Sequence, residues 1–261
     1  MSDLPIAATD SEIQERRERV FLILAGIFIC SMTMLNIIGS TRFIQLGPLT
    51  LTVGVLPYPL TFLCTDLICE LYGKKRANFL VTLGLVLNIF IFLVIYLAHS
   101  AAPVPEASMP PWQKLDLATD VTLPNNTVAS GQVELFDFIF SLTSGAIFAS
   151  MLAYSAAQYC DVRLFHFWKR VTKGKHLWIR NNFSTLISQA VDSVVVIGVV
   201  FGAVYLAGGI TLKEMIAIMF SSYLFKLAAA LIDTGPFYYL TGKLRRYLQL
   251  EQDSGASSKA Y

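Results

Sequence analysis

The stretch PYPLTFLCTDLICELYGKKR, residues 57–76, decides the class of this protein. It is an apolar run that contains Asp66 and Glu70 and ends in the basic triplet 74–76. A membrane-spanning helix needs about 20 mostly apolar residues, and an ionisable side chain inside hydrocarbon costs at least ~2.5 kcal/mol. A chain retains such a group where it lines a solute path, pairs with a partner or lies near an interface. The stretch therefore predicts a membrane helix with a polar face.

The composition of the whole chain agrees with this interpretation. Of its 261 residues, 55% are hydrophobic and 15% are charged, and the mean hydropathy is +0.58. A soluble domain carries about 25% charged residues. The four cysteines are scattered through or beside apolar segments without metal-ligand spacing. The sequence predicts an integral membrane protein with neither a metal site nor a cofactor.

The hydropathy pattern divides the chain into membrane spans and connections. We predict an all-α integral membrane protein with one six-helix transmembrane domain over 20–240. The spans are 20–41, 50–72, 77–98, 135–160, 183–207 and 212–240. The remaining segments are an N-terminal tail (1–19), an outer loop (99–133), a basic loop (161–182) and a C-terminal tail (241–261).

The distribution of basic residues predicts the orientation. Sixteen of the 20 Lys and Arg residues fall in the two tails, the triplet 74–76 and the basic loop. On the other side are Arg42, Lys114 and Lys213, and Lys226 lies within a span. Cytoplasmic segments next to spans carry an excess of Lys and Arg. Both termini and the basic loop are therefore predicted to be cytoplasmic, and we assign the basic residues to topology rather than to nucleic-acid binding.

Two carboxylates share a face of the second span. Asp66 and Glu70 are four residues apart, which places them one turn from each other. Pro57 and Pro59 should kink or break this helix near its outer half. Glu70 lies close enough to Lys74 for an interfacial i,i+4 pair, whereas Asp66 lies a turn deeper, where that explanation weakens. Asp66 is therefore the stronger functional candidate.

The fifth span carries a polar stripe. Its members recur at helical spacing within an arc of about 140°: Asn181, Ser184, Thr185, Ser188, Gln189 and Asp192. Ser and Thr commonly join membrane helices, but Asp192 is costly for that purpose alone. The stripe predicts a polar cavity between helices.

The sixth span adds Lys226 and Asp233. They are seven residues apart, about 10 Å along a helix, so Lys226 needs another partner. Counted from the predicted ends of their helices, Asp66, Asp192 and Lys226 all lie between the middle of the membrane and its inner third. We predict that these three residues form one site in which Lys226 neutralises one of the two carboxylates.

Several of these segments resemble one known family. The runs YPLTFLCTD (58–66), ELYGKKRA (70–77), QYCDV (158–162), LWIRN (177–181) and YLFK (223–226), with the stripe up to Asp192, are similar to the signature of queuosine precursor transporters. The matching blocks are in family order and cover roughly 30–240. The resemblance implies a multi-pass inner-membrane importer of 7-cyano- or 7-aminomethyl-7-deazaguanine, which serve tRNA modification.

The resemblance and the polar residues together give a set of candidate substrate-binding residues. Carboxylates can accept the N–H groups of a guanine-like base, amides can serve its carbonyl edge, and aromatic rings can pack on its flat face. The set is Asp66, Glu70, Gln158, Gln189, Asp192, Tyr223, Lys226, Phe62, Tyr154 and Asn36. For Asn36, hydrogen bonding between helices is an equally good interpretation.

Other functions remain open at this stage. The resemblance to small six-helix vitamin-binding subunits leaves open a substrate-capture protein that needs a separate energising module. An intramembrane aspartyl enzyme would use Asp66 and Asp192 as a dyad, but the G-x-G-D type of motif is absent. No enzyme is therefore expected, and a purely structural scaffold would not need five intramembrane charges. The expected partners are a small-molecule base and the lipid bilayer, and a homodimer and an energising module stay open.

Overall fold

Five long helices make up most of the computed structural model, which describes residues 10–38, 42–46, 49–122, 128–173, 175–206 and 210–250. They are α1 (Asp10–Ile38), α2 (Tyr58–Ser100), α3 (Leu135–Val171), α4 (Leu177–Leu206) and α5 (Leu212–Tyr247). Three antiparallel two-stranded ribbons join them. These pair β1 (Phe43–Leu46) with β2 (Leu49–Thr52), β3 (Lys114–Asp116) with β6 (Gln132–Glu134), and β4 (Val121–Thr122) with β5 (Val128–Ala129).

Helix α2 is two helices joined at one residue. Gly73 has φ 82° and ψ 177°, which is not helical and which favours glycine. Before the break, Asp66 meets Asp161 and Glu70 meets Lys169, so the first half runs parallel to α3. After it, Thr82 meets Tyr159 and His99 meets Asp137, so the second half runs antiparallel to α3. The chain therefore reverses direction at Gly73.

The remaining helices continue this back-and-forth path. Ser188 of α4 bonds Asp161 of α3, and Lys226 of α5 bonds Asp192 of α4. Further along, Thr234 bonds Asn182 at 2.9 Å, which makes α4 and α5 antiparallel. The first half of α2, α3, α4 and α5 thus bring their polar faces together.

The helices are apolar on the outside. Large hydrophobic side chains are exposed along them, including Leu22, Phe90, Leu97, Phe220 and Ile232, whereas a series of polar side chains is buried. Within the described residues, four helices are long and apolar enough to cross a membrane: Asp10–Leu35, Tyr58–Ser100, Asn182–Val199 and Leu212–Tyr247. The chain is a helical multi-pass membrane protein, and the six-span count and the cytoplasmic termini stay predictions.

The 43 residues of α2 are enough to cross a membrane twice. A continuous helix of this length would be about 64 Å long, roughly twice the ~30 Å of a hydrocarbon core. The reversal at Gly73 divides it into two segments at the position where the sequence predicts the boundary between the second and third spans.

The structure differs from the sequence predictions at three connections. The second span was expected to begin at 50, but β2 and a short 3-10 turn precede Tyr58, because Pro57 and Pro59 admit a helix only from its first turn onward. Most of the predicted basic loop 161–182 is helical, since α3 continues to Val171 and α4 starts at Leu177. The outer segment 99–133 contains paired strands rather than irregular chain.

Helix α1 packs closely against the second half of α2. A Cβ atom added at Gly84 would lie 2.9 Å from Cε1 of Phe28 and 3.2 Å from the sulfur of Met32. Both side chains are almost fully buried. Glycine is therefore what permits the close approach of these two helices, and α1 supports α2 with an apolar face.

Candidate functional site

Buried polar side chains from four helices face one another in the interior of the bundle. They come from the first half of α2, from α3, α4 and α5, and each is less than a tenth exposed: Thr61, Thr65, Asp66, Glu70, Gln158, Asp161, Ser184, Thr185, Ser188, Gln189, Asp192, Ser193 and Lys226. Buried polar groups are costly unless they are paired or serve a ligand. The predicted stripe of α4 is thus confirmed as an inward-facing surface, with Asn181 outside the described side chains.

Lys226 and Asp192 form an ion pair between α5 and α4. The Lys226 ammonium also donates to Ser193 Oγ at 3.3 Å, and it lies 4.9 Å from the centre of the Tyr58 ring on α2. A lysine inside a bundle needs such compensation because an unpaired buried charge is strongly destabilising. The prediction that Lys226 has a partner other than Asp233 is confirmed.

Asp66 and Asp161 form a second contact, which we call the carboxyl pair. Their carboxyl groups lie within hydrogen-bonding reach of each other. Thr185 Oγ1 donates to Asp66 Oδ2 at 3.4 Å, and Ser188 Oγ donates to Asp161 Oδ1 at 3.0 Å. Among the side chains that the structure describes, no lysine or arginine contacts either carboxyl group.

The two contacts lie at different levels of the same helix. Thr185 and Asp192 are seven residues apart on α4, about 10 Å along its axis. The predicted cluster of Asp66, Asp192 and Lys226 is therefore separated into Lys226–Asp192 and the carboxyl pair. An aspartyl dyad of Asp66 with Asp192 is likewise not what the geometry brings together.

Two glutamines lie within one helical turn of residues that form these contacts. Gln189 is between Ser188 and Asp192 on α4, and its Oε1 is buried without a hydrogen-bond donor among the described residues. Gln158 lies one turn before Asp161 on α3 and is fully buried. An amide can offer both a donor and an acceptor, so both side chains suit the edge of a polar ring.

The predicted aromatic residues have different positions. Phe62 is buried one turn before Asp66, and its ring centre lies 5.2 Å from that of Tyr58. Tyr223 is half-buried on α5, one turn before Lys226. The side chains of Tyr154 and Asn36, which were also predicted to bind substrate, lie outside the described part of the structure.

Glu70 belongs to a separate group at one end of the bundle. Its carboxylate accepts from Lys169 Nζ of α3 at 3.2 Å and is also paired with Arg245 of α5. Its side chain is fully buried between these cations. Glu70 therefore joins three helices, which is more than the local pair with Lys74 that the sequence offered as one interpretation.

Sequence reasoning missed several residues of this site. Asp161 was assigned to the basic loop because the apolar run ends at 160, and Tyr58 and Ser193 drew no attention. The signal for Asp161 was its spacing, since Gln158 and Asp161 are three apart and share a helix face. Lys169 and Arg245 were read only as topology markers.

The comparisons with known proteins agree with a transport function. A family model described as "Putative vitamin uptake transporter" matches residues 52–241. A Bacillus subtilis protein named "Probable queuosine precursor transporter" is 25% identical over 208 residues, which is 78% of this chain and 76% of that protein. No solved structure matches.

Proposed function

We propose that this chain, which belongs to the vitamin uptake transporter family, imports a 7-deazaguanine precursor of queuosine across the inner membrane. The imported base, 7-cyano- or 7-aminomethyl-7-deazaguanine, supplies tRNA modification. The proposal is supported by the name of the Bacillus subtilis relative and by the family resemblance of the helix segments that carry the site.

The observation that carries the proposal is a set of buried hydrogen-bond acceptors on converging helices. Asp66 on α2 and Gln189 on α4 each have one oxygen that is buried and accepts no hydrogen bond from the described residues. A guanine-like base presents N–H donors from its ring and its exocyclic amine. A site built to bond such donors also rejects analogues that lack them, because its polar groups would remain unpaired.

Aromatic side chains next to these acceptors suit the flat face of a base. Phe62 precedes Asp66 by one helical turn, and Tyr58 lies beside Phe62. Tyr223 adds a half-buried ring from α5. An aromatic face combined with acceptors at its edge is the usual arrangement by which proteins bind a single unstacked base.

The ion pairs have a supporting part in this proposal. Lys226–Asp192 fixes α5 against α4 on one side of the carboxyl pair, and Glu70 fixes α2, α3 and α5 on the other. Alternating access requires that such contacts break on one side while the binding site is kept. We assign Glu70 to the closure of the cytoplasmic end rather than to contact with the base.

The topology that this function needs is six spans with both termini in the cytoplasm. It is supported by the basic residues of the tails and by the reversal at Gly73. Reporter fusions at residues 115 and 255 should report opposite sides of the membrane. Finding both on the same side would contradict the topology.

The direct test is uptake by living cells. A host that cannot make 7-deazaguanines, and that lacks its own importer, should regain queuosine in its tRNA when this chain is expressed and precursor is supplied. Asp66→Asn should reduce the rescue strongly, whereas Asp120→Asn, the same change at an exposed site of the outer segment, should not. Absence of rescue by membrane-inserted wild type would rule out these substrates.

The family description favours one alternative. A vitamin-type capture subunit would bind the base but would need a separate ATP-hydrolysing module for uptake. Purified protein in liposomes distinguishes the two: uptake by this chain alone supports an autonomous transporter. Uptake that appears only with a copurified ATPase supports the capture subunit.

A further inference from the structure

The carboxyl pair presents two acids to each other in the interior of the bundle. Asp66 is 2% exposed and Asp161 is fully buried, and their carboxyl groups lie within hydrogen-bonding reach of each other. An ionised carboxylate has only acceptors, so a hydrogen bond between two carboxyl groups requires a proton on one of them. We infer that the pair holds one exchangeable proton and that import of the base is coupled to its movement. This inference rests on the proposed import function.

The hydrogen-bond inventory of the pair supports one shared proton. Asp66 Oδ1 and Asp161 Oδ2 are both buried and accept no hydrogen bond from the described residues. Orphaned buried acceptors are rare in native proteins and call for an explanation. One O–H group between the two acids would supply the missing donor within the contact itself.

The surroundings indicate which acid carries the proton. Asp161 is contacted by the hydroxyls of Ser184, Thr185 and Ser188, all on α4. Asp66 receives a single long bond from Thr185. Hydrogen bonds from hydroxyl donors favour the ionised form of a carboxyl group. The proton therefore resides on Asp66, and Asp161 is its acceptor.

The charged groups around the pair do not replace this proton. Asp233 of α5 adds a further negative charge near Asp66, and the thiol of Cys69 on α2 lies close to both acids. The face of α1 that packs on α2 is apolar, with Leu24, Phe28 and Met32. Three described cations of these helices, Lys169, Lys226 and Arg245, are bound to Glu70 or Asp192. Arg163, two residues after Asp161 on α3, is exposed at the surface of the bundle.

A proton on Asp66 is compatible with a bound base. A protonated carboxyl keeps lone pairs that accept an N–H group while its own O–H bonds Asp161. Proton and base can therefore occupy the site together, which makes the coupling a symport. One proton is taken from the outer water and one is released to the cytoplasm for each base. With a neutral base, one positive charge moves inward in each cycle.

The first test asks whether the proton exists, independently of transport. Infrared spectra of purified wild type at neutral pH should contain the carbonyl stretching band of a protonated carboxylic acid inside the protein. This band should disappear in both Asp66→Asn and Asp161→Asn and persist in Asp120→Asn. A spectrum in which neither pair variant changes the band would overturn the shared proton.

The second test asks whether the proton is coupled to the base. In liposomes whose membrane potential is held at zero, a gradient of about one pH unit, acid outside, supports at most about tenfold accumulation by one coupled proton. Wild type should approach this limit and should acidify the interior when 7-cyano-7-deazaguanine is added. Asp161→Asn replaces the titrating acceptor with an amide, which can donate to Asp66 but cannot take up its proton. It should therefore exchange labelled base for unlabelled base but lose both accumulation and acidification.

The outcomes separate the two proposals. Exchange of base by wild type without proton movement would overturn the coupling and leave the import function standing. In another outcome, the infrared band behaves as expected while wild type exchanges no 7-deazaguanine. That outcome would overturn the proposed substrate and, with it, the symport. If Asp161→Asn fails to fold, Ser188→Ala removes a hydroxyl donor from Asp161 and should shift the pH dependence of accumulation without abolishing exchange.

Discussion

Two buried contacts on the same face of α4 handle charge in opposite ways. At Asp192 the carboxylate is matched by the Lys226 ammonium, with Ser193 and the Tyr58 ring as further partners. At the carboxyl pair, two acids meet with only hydroxyl donors around them among the described residues. The first contact is complete without a ligand, whereas the second is not.

The difference between the two contacts separates residues that support the structure from residues that act in binding and transport. A matched ion pair with hydrogen bonds holds two helices in one arrangement, and removal of one partner leaves an uncompensated charge. A contact between two acids changes its net charge when a single proton arrives or leaves. Residues of the first kind should therefore show their effect in stability, and residues of the second kind in binding and pH dependence.

The largest effect is expected at the ion pair. Lys226→Met should destabilise the protein by about 3–5 kcal/mol, because Asp192 would remain buried without its cation. Transport should be lost as a consequence. Thermal unfolding of the purified variant in detergent would measure the loss, with Lys213→Met, at an exposed position near the start of α5, as the matched control.

The double variant Lys226→Met with Asp192→Asn sharpens this prediction. It removes both charges, so most of the stability should return, while uptake should stay impaired. Stability of Lys226→Met equal to that of the Lys213→Met control would show that the pair contributes nothing, and the comparison between the two contacts would fail.

A smaller effect of another kind is expected at the carboxyl pair. Asp66→Ala removes a buried acceptor for the base and leaves an N–H group of the base unpaired, which corresponds to about 1–3 kcal/mol of binding free energy, or roughly 5–150-fold in affinity. The unfolding temperature should change little, because the substitution also removes a buried carboxyl group that is costly to desolvate. Titration of the purified variant with labelled base would measure the affinity.

The neighbouring acid provides the control for that experiment. Asp233→Ala changes a half-buried carboxyl group on α5 that is outside the hydrogen-bonded pair, and it should weaken binding far less. Equal losses in the two variants would mean that only the total negative charge matters and that the pair has no special geometry.

A smaller loss of stability is expected at the ion pairs of Glu70. Glu70→Gln should cost about 1–2 kcal/mol of stability, less than Lys226→Met, because Lys169 and Arg245 are 33% and 40% exposed and hydrated charges gain little from pairing. Added salt should weaken the wild type toward the variant. Lys173→Met, an exposed change on the same side, should leave unfolding unaffected.

Much of the site was predictable from helical spacing, and the rest depended on residues outside the apolar runs. The stripe of Ser184, Ser188 and Asp192 was predictable because period 3.6 fixes which side chains share a face. Asp161 was not, because hydropathy marks where hydrocarbon ends and not where a helix ends, and α3 continues to Val171. The partner of Lys226 was predictable as one of Asp66 and Asp192, but the choice between them was not, since helix neighbours are set by packing.

The smallest effect is expected at the exposed start of α5, where an acid is satisfied by local hydrogen bonds alone. The backbone N–H and the hydroxyl of Thr211 both donate to the Glu214 carboxylate, and such bonds favour the ionised form of a carboxyl group. Protonation of Glu214 in acid weakens these bonds, because a neutral carboxyl group is a poorer acceptor than a carboxylate. Acidification should therefore fray this first turn.

Hydrogen exchange of the amide groups at Glu214 and Met215 would measure the fraying. Glu214→Gln should remove its pH dependence in the acid range, and Thr211→Ala should raise the exchange rate at every pH because the helix loses its capping residue. Protection in wild type that does not change with acid would show that the capping contact contributes nothing in solution.

The single residue that joins the two halves of α2 has a consequence for how the protein is made. With only Gly73 between them, there is no connecting loop that would let the first half settle in the membrane while the second is still being synthesised. We therefore expect the two segments to enter the bilayer together as a hairpin, with the basic triplet 74–76 at its predicted cytoplasmic end. The carboxyl group of Asp66 then enters the membrane next to the apolar second half of α2, before α3 brings Asp161 to it.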